Sequence, residues 1–186
     1  MPRTPLQFQQ MKDERKLSIL ESALPLFAIY GKNDVSIDMI CQKAKCSHGL
    51  AYHYFKNVDQ IYTELTSSDN YKSIRETLDC FDYDNDAYSQ IYELTKKLIQ
   101  ITKEPRFTVA FALIVILEDS KKSFYSNLTK LVQVGQKEGV VTAGKVVDIV
   151  DTYLLVFKGL YLSILNQKHS VIRVPSIDNI LKIILR

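Results

Sequence analysis

Apolar residues along the first third of the chain recur at steps of three and four, the period of a helix laid against a core. Leu17, Leu20, Leu24, Phe27 and Gly31 keep this step and predict an amphipathic first helix from Lys12 to Tyr30, ended by Gly31. Pro25 falls inside it and removes one amide donor, a cost of about 3 kcal/mol that predicts a local kink rather than a break. The next stretch, SIDMICQKAKCSHGLAYHYF from Ser36 to Phe55, reads as two short helices around a tight turn. Ser36 stands as an N-cap before Ile37, Ile40, Cys41 and Ala44; Lys45 and Cys46 interrupt the pattern; Ser47 offers a second cap. In the second helix Leu50, Ala51, Tyr54 and Phe55 share an inward face, which leaves His48, Gly49, Tyr52 and His53 outside. Asn57 then caps a fourth helix carrying Val58, Ile61, Tyr62 and Leu65.

From about Asp69 onward the pattern stays helical. Ile91, Tyr92, Leu94, Leu98 and Ile101 mark a helix from Tyr88 to Lys103, and Pro105 opens another, FTVAFALIVILED, that is apolar nearly all round and must be buried on several sides. Glu118 and Asp119 mark its end, and a further helix spans Lys121 to Gly139. The segment from Ala143 to Gln167 carries more apolar residues than one core contact needs, and a last helix over 176–186 adds Ile177, Ile180, Leu181, Ile184 and Leu185. Such an excess on the last two helices, 143–167 and 176–186, points to a homodimer interface as well as a core.

Two short helices about a turn, the second with an outward row of hydrogen-bonding groups, have the spacing of a helix-turn-helix that reads double-stranded DNA. Base readout falls to His48, Gly49, Leu50, Tyr52 and His53: imidazoles donate to or accept from base edges, Gly49 permits close approach, and Leu50 or the Tyr52 ring meets a thymine methyl. Packing beneath a phosphate is the alternative for Tyr52, and plain solvent exposure the alternative for His48. Ser36, Ser47, Lys56 and the amides at the helix starts are assigned to phosphate positioning.

The order LPLFAIYG, VSIDMICQKAKCS and HGLAYHYFKNVDQIY resembles the N-terminal DNA-binding domain of the TetR family of transcriptional regulators over about fifty residues, Arg15 to Leu65. Phe27 and Gly31, the Ser36, Ile37 and Ile40 set, and Ser47, Gly49, Tyr52, Phe55 and Asn57 fall in that family's register without a gap. Three positions depart from it. Lys45 stands where the turn usually has glycine, which predicts a non-glycine residue in the left-handed region at a cost of about 1–2 kcal/mol. Ala51 replaces a larger apolar residue, and Val58 replaces a lysine that would touch phosphate, with Lys56 the nearest substitute. The resemblance implies an all-α fold, a helix-turn-helix domain over 1–57 and a helical effector-binding and dimerisation domain over 58–186. It implies a homodimer whose last two helices form a four-helix bundle, a palindromic operator, and a ligand that releases DNA. A dimeric interaction protein with a degenerate helix-turn-helix is the other reading.

Charge agrees with the motif. The chain carries a formal net charge of +3, and residues 1–57 alone hold eight basic and five acidic side chains, so the excess sits with the helix-turn-helix. A hydrophobic content of 46% over 186 residues argues against disorder and suits two helical domains. With no signal peptide visible, and the longest apolar run, Val109 to Leu117, far short of the roughly 20 residues a bilayer needs, a soluble cytoplasmic protein is expected. The arm MPRTP is expected to be mobile.

Cys41, Cys46 and Cys80 fit a reducing compartment and match no zinc or thioredoxin spacing; Cys41 and Cys46 are either packing residues or, less simply, a redox pair. His169 is expected at the surface. No nucleophile with a placed base, metal-ligand set or glycine-rich phosphate loop is present, which argues against an enzyme and against any cofactor. For a small-molecule effector, Tyr88, Tyr92, Phe107, Phe111, Tyr125, Tyr153, Phe157 and Tyr161 are candidates to line an apolar cavity, unless they are simply core. Glu118 either balances a cationic ligand or is a solvated helix end.

Overall fold

The computed structural model describes residues 5–79, 81, 86–118, 123–166 and 172–186, and these form two compact helical units, Met1–Asp69 and Asn70–Arg186. Residues 1–4 of the arm MPRTP, with Cys80, Asp119 and His169 and the side chain of Glu118, lie outside the described residues.

In the first unit α1 runs Pro5–Tyr30, longer than the predicted Lys12 start, and passes through Pro25 without a break. Its buried residues are Ile19, Leu20, Ala23, Leu24, Leu26, Phe27 and Ala28, so apolar side chains cover more than a narrow stripe. Leu17 was expected on this face and is instead 40% exposed. Lys16 takes the inward place: its ammonium lies 5.6 Å from the centroid of the buried Phe55 ring and pairs with Glu64. A lysine stem covers apolar surface there while the charge keeps a partner. Gly31, at φ 79°, ends the helix with its N–H on the Phe27 carbonyl at 2.9 Å.

A short 3-10 turn, Lys32–Asp34, leads to α2 (Ile37–Ala44), α3 (His48–Tyr54) and α4 (Val58–Ser67). All three caps read from the sequence form. Ser36 Oγ accepts from Met39 N at 3.2 Å, Ser47 Oγ from Leu50 N at 3.2 Å, and Asn57 Oδ1 from Gln60 N at 2.8 Å. Gln60 reaches back to accept from Lys56 N at 2.7 Å, a reciprocal arrangement that fixes where α4 begins. The helix α4 buries Ile61, Tyr62 and Leu65 and packs on α1, with Tyr62 edge-on to Phe27 at a centroid distance of 5.1 Å. For that reason the first compact unit extends through α4 to Asp69, whereas the sequence division had placed the boundary at 57.

The second unit is built from α5 (Lys72–Asp79), α6 (Ala87–Ile101), α7 (Arg106–Glu118), α8 (Ser123–Lys137), α9 (Val146–Asn166) and α10 (Ile177–Leu181). Its centre is α7 against α9. Val109, Ala110, Phe111, Ala112, Leu113, Ile114 and Ile116 are all buried, as an all-round apolar helix requires. Asp86 caps α6 through Ser89, whose amide and hydroxyl hold its carboxyl below the usual carboxylate range, and Glu138 accepts from Ala87 N at 3.0 Å.

The last helix differs from expectation. Instead of spanning 176–186 it is five residues long, Ile177–Leu181, and Leu185 forms an antiparallel bridge with Val141. Arg186 N donates to the Val140 carbonyl and Thr142 N to that of Ile184, so the chain end is stapled beside the α8–α9 loop. Ile180, Leu181 and Ile184 are buried, with α10 packed on α6. These residues belong to the core of the second unit.

Candidate nucleic-acid interface

The turn between α2 and α3 is set by Lys45, which adopts φ 51° and ψ 48°, the left-handed conformation foreseen for this non-glycine position. Its N–H and that of Cys46 close the end of α2 on the carbonyls of Gln42 and Cys41 at 3.4 and 3.0 Å. Beneath the turn Ile40, Cys41, Ala51 and Phe55 are buried. Ala51, the smaller residue noted in the sequence, is fully enclosed. Burial, followed by the Cys46 contact, pushes the Cys41 thiol up to about 11. A thiol that holds its proton packs rather than reacts, which favours the packing reading of Cys41.

On the outside His48, Gly49, Tyr52, His53 and Lys56 are exposed, and Leu50 is half-buried at the flank. Tyr52 stands 54% exposed, so its ring is not part of the core. The His53 ring meets Tyr54 edge-on at 5.1 Å. Gly49 has no atom within 4 Å of where a Cβ would stand, so nothing inside the protein requires a glycine there. Glycine costs a helix up to about 1 kcal/mol relative to alanine, and the open space above it is what an approaching backbone or base would use. Ser36 and Ser47 each accept one hydrogen bond in the caps, and each hydroxyl proton can still donate outward.

One neighbour of this face was not singled out from sequence. Asp38, in the first turn of α2, sits with Oδ1 3.2 Å from His48 Nε2. A spacing of ten residues across a turn carries no periodic signal, and an acidic residue in a helix's first turn is already accounted for by the helix dipole.

The segment matches the family described as bacterial regulatory proteins, tetR family, over residues 19–65, which spans α1 from Ile19 through α4 to Leu65. Residues 19–65 thus carry the DNA-binding domain of the TetR family. Solved structures agree on the fold. A TetR-like transcriptional regulator from Rhodococcus sp. RHA1 superposes with a TM-score of 0.55 at 14% identity, covering 90% of both chains. A transcriptional regulator from Saccharomonospora viridis, solved in complex with choline, gives 0.52 at 19% identity, covering 94% of this chain and 99% of that one. A tetR-family regulator from Shewanella sp. PV-4 gives 0.50 at 18%, covering 78% and 82%. No curated protein matches the sequence. TetR-family regulators are DNA-binding transcription factors rather than enzymes, and no helix among the described residues is long and apolar enough to cross a membrane.

The aromatics proposed for an effector cavity fall into separate groups among the described residues. Tyr153, Phe157 and Tyr161 are fully buried one turn apart along α9, where the Tyr153 hydroxyl meets Thr95 and the Tyr161 hydroxyl donates to the Leu98 carbonyl at 2.7 Å. Phe111 stacks on Tyr71 at 4.3 Å, and Tyr125 donates to Asp151 at 2.9 Å. Tyr88, Tyr92 and Phe107 are partly or largely exposed, with Tyr88 beside Tyr92 at 6.4 Å. A cavity of about 440 Å³ opens elsewhere in the second unit, lined by Asn70, Ile74, Lys97, Gln100, Ile101, Glu104 and Thr108. None of the sequence candidates lines it; its polar, discontinuous lining leaves no hydrophobic periodicity to read.

Proposed function

We propose that the protein is a repressor that binds a palindromic operator as a homodimer and leaves it when a small molecule occupies its second unit. The observation that carries this reading is the outward face of α3, where His48, Gly49, Tyr52 and His53 stand in solvent over a buried Ala51 and Phe55. A seven-residue helix reaches only a few base pairs, so one copy reads too little sequence to select a site. Two copies related by a two-fold axis reach successive major grooves about 34 Å apart.

Surface for that pairing exists on α9. Val147 and Leu155 are 52% and 64% exposed and fall in one row with Asp151 and Gly159 at steps of four. Large apolar side chains left outside on a helix whose other face is fully buried suit a subunit contact, and this reading places the interface on α9 without α10. Effector binding is assigned to the 440 Å³ cavity of the second unit. Choline, the ligand in the Saccharomonospora viridis structure, is a reasonable first probe because Glu104 lies in the lining.

In vitro selection of random duplex DNA at two salt concentrations tests the proposal, since phosphate contacts make affinity fall with salt while base contacts set the sequence. An enriched palindrome with half-sites about one helical turn apart supports it. Salt-sensitive binding with no enriched sequence overturns it and leaves a module that acts through other partners. His48→Ala with Tyr52→Ala should abolish the enrichment while the dimer persists in sedimentation.

A further inference from the structure

The His48 imidazole stands against a carboxylate. The Asp38 carboxylate oxygen 3.2 Å from its Nε2 ties the first residue of α3 to the first turn of α2. The two side chains are 56% and 73% exposed, so as a surface ion pair the contact adds little to stability. Its consequence is orientation. A carboxylate only accepts, and an unprotonated Nε2 at this distance would turn a lone pair against it; in the neutral ring the tautomer with its proton on Nε2 is therefore favoured, and it leaves Nδ1 as the acceptor.

We propose that Asp38 is a positioning residue for base readout, holding His48 with Nδ1 as the acceptor offered to DNA. This rests on the operator-binding reading above and sharpens it to a base class. In the major groove an acceptor is complemented by the exocyclic amino group of adenine N6 or cytosine N4, while guanine and thymine present acceptors at the corresponding edge. The half-site base under His48 is thus adenine or cytosine on the contacted strand. With Asp38 removed the ring turns freely, either nitrogen carries the proton, and the discrimination disappears.

The test uses the full chain and the variants Asp38→Ala, His48→Ala and the double variant, each put through duplex selection at pH 8.5 and then titrated against single-base changes in the selected site. The expected result is one position per half-site where adenine or cytosine is favoured about 3- to 10-fold, the range of one net hydrogen bond. Asp38→Ala and His48→Ala each flatten that position alone, and the double variant is no flatter than either. A wild-type preference that survives Asp38→Ala overturns the proposal. So does a change in affinity that is equal at every position, which would mean that Asp38 acts only by repelling phosphates. If the wild type enriches no sequence, the operator reading itself fails and takes this inference with it. A readout without DNA stands beside these: long-range nitrogen-15 imidazole spectra should show His48 protonated at Nε2 in the wild type and a mixture of tautomers in Asp38→Ala, and identical spectra would also overturn it.

Discussion

The Tyr153 hydroxyl of α9 and the Thr95 hydroxyl of α6 meet 2.8 Å apart in the core of the second unit, and the direction of their hydrogen bond follows from a third group. Thr95 Oγ1 is also 2.7 Å from the Ile91 carbonyl, which can only accept, so the threonine proton goes there and Tyr153 donates to Thr95. The two deletions are then unequal. Tyr153→Phe leaves Thr95 bonded to Ile91 and should cost about 1 kcal/mol, whereas Thr95→Val orphans a buried phenol and should cost roughly 1–3 kcal/mol. Urea unfolding of both variants and of the pair checks this, with the double variant expected to lose less than the sum of the singles.

Alkaline pH should unfold the second unit through its buried phenols. Burial raises Tyr153 well above its ordinary value of 10, and burial with the neighbouring Tyr153 does the same for Tyr161. The unfolded chain ionises these groups near pH 10 while the folded chain keeps them protonated, so above that pH the unfolded state holds fewer protons and stability falls as pH rises. A phenolate absorbance titration should show exposed tyrosines ionising first and a cooperative step coincident with loss of helix. In Tyr161→Phe that step should move to higher pH; an unchanged onset would contradict the assignment.

Lys45 holds a left-handed backbone that glycine adopts without strain. After the greater freedom of an unfolded glycine is set against that relief, Lys45→Gly should raise stability by roughly 0.5–1 kcal/mol. Thermal unfolding gives the answer directly, and a lower midpoint would count against strain at this turn.

Gly49 separates stability from reading. The site has room for a methyl group, so Gly49→Ala, in the first turn of α3, should stabilise the helix by part of the roughly 1 kcal/mol that separates the two residues in a helix interior. The same methyl group occupies the space that DNA would approach, so specific affinity should drop while the melting midpoint rises. Parallel melting and fluorescence anisotropy on a selected operator test the two halves, and unchanged affinity would remove Gly49 from the interface.

Local chemistry accounts for what could be read without coordinates. Caps at Ser36, Ser47 and Asn57 depend on residue type and on the three or four residues that follow, so they were legible to the residue. The left-handed Lys45, the exposed His48, Gly49, Tyr52 and His53 and the buried Ala51 and Phe55 follow from the same short range. Burial on α7 was legible because a helix with no polar face has one solution in water.

Tertiary packing decided the rest, because it joins groups that no period connects. Whether Lys16 or Leu17 turns inward depends on Phe55 and Glu64 waiting across the unit. The aromatics of α9 became core because Thr95 and the Leu98 carbonyl, a free acceptor near the end of α6, lie within reach of their hydroxyls. The last helix gives way to turns after Leu181, and beyond them the Arg186 N–H and the Ile184 carbonyl pair with the loop at Val140 and Thr142, partners that no local pattern announces. Sequence alone determined the helix-turn-helix and its outward residues, since those rest on neighbours within a few positions. The tertiary structure alone decided which of many equivalent apolar and aromatic residues meet, and that Asp38 stands against His48.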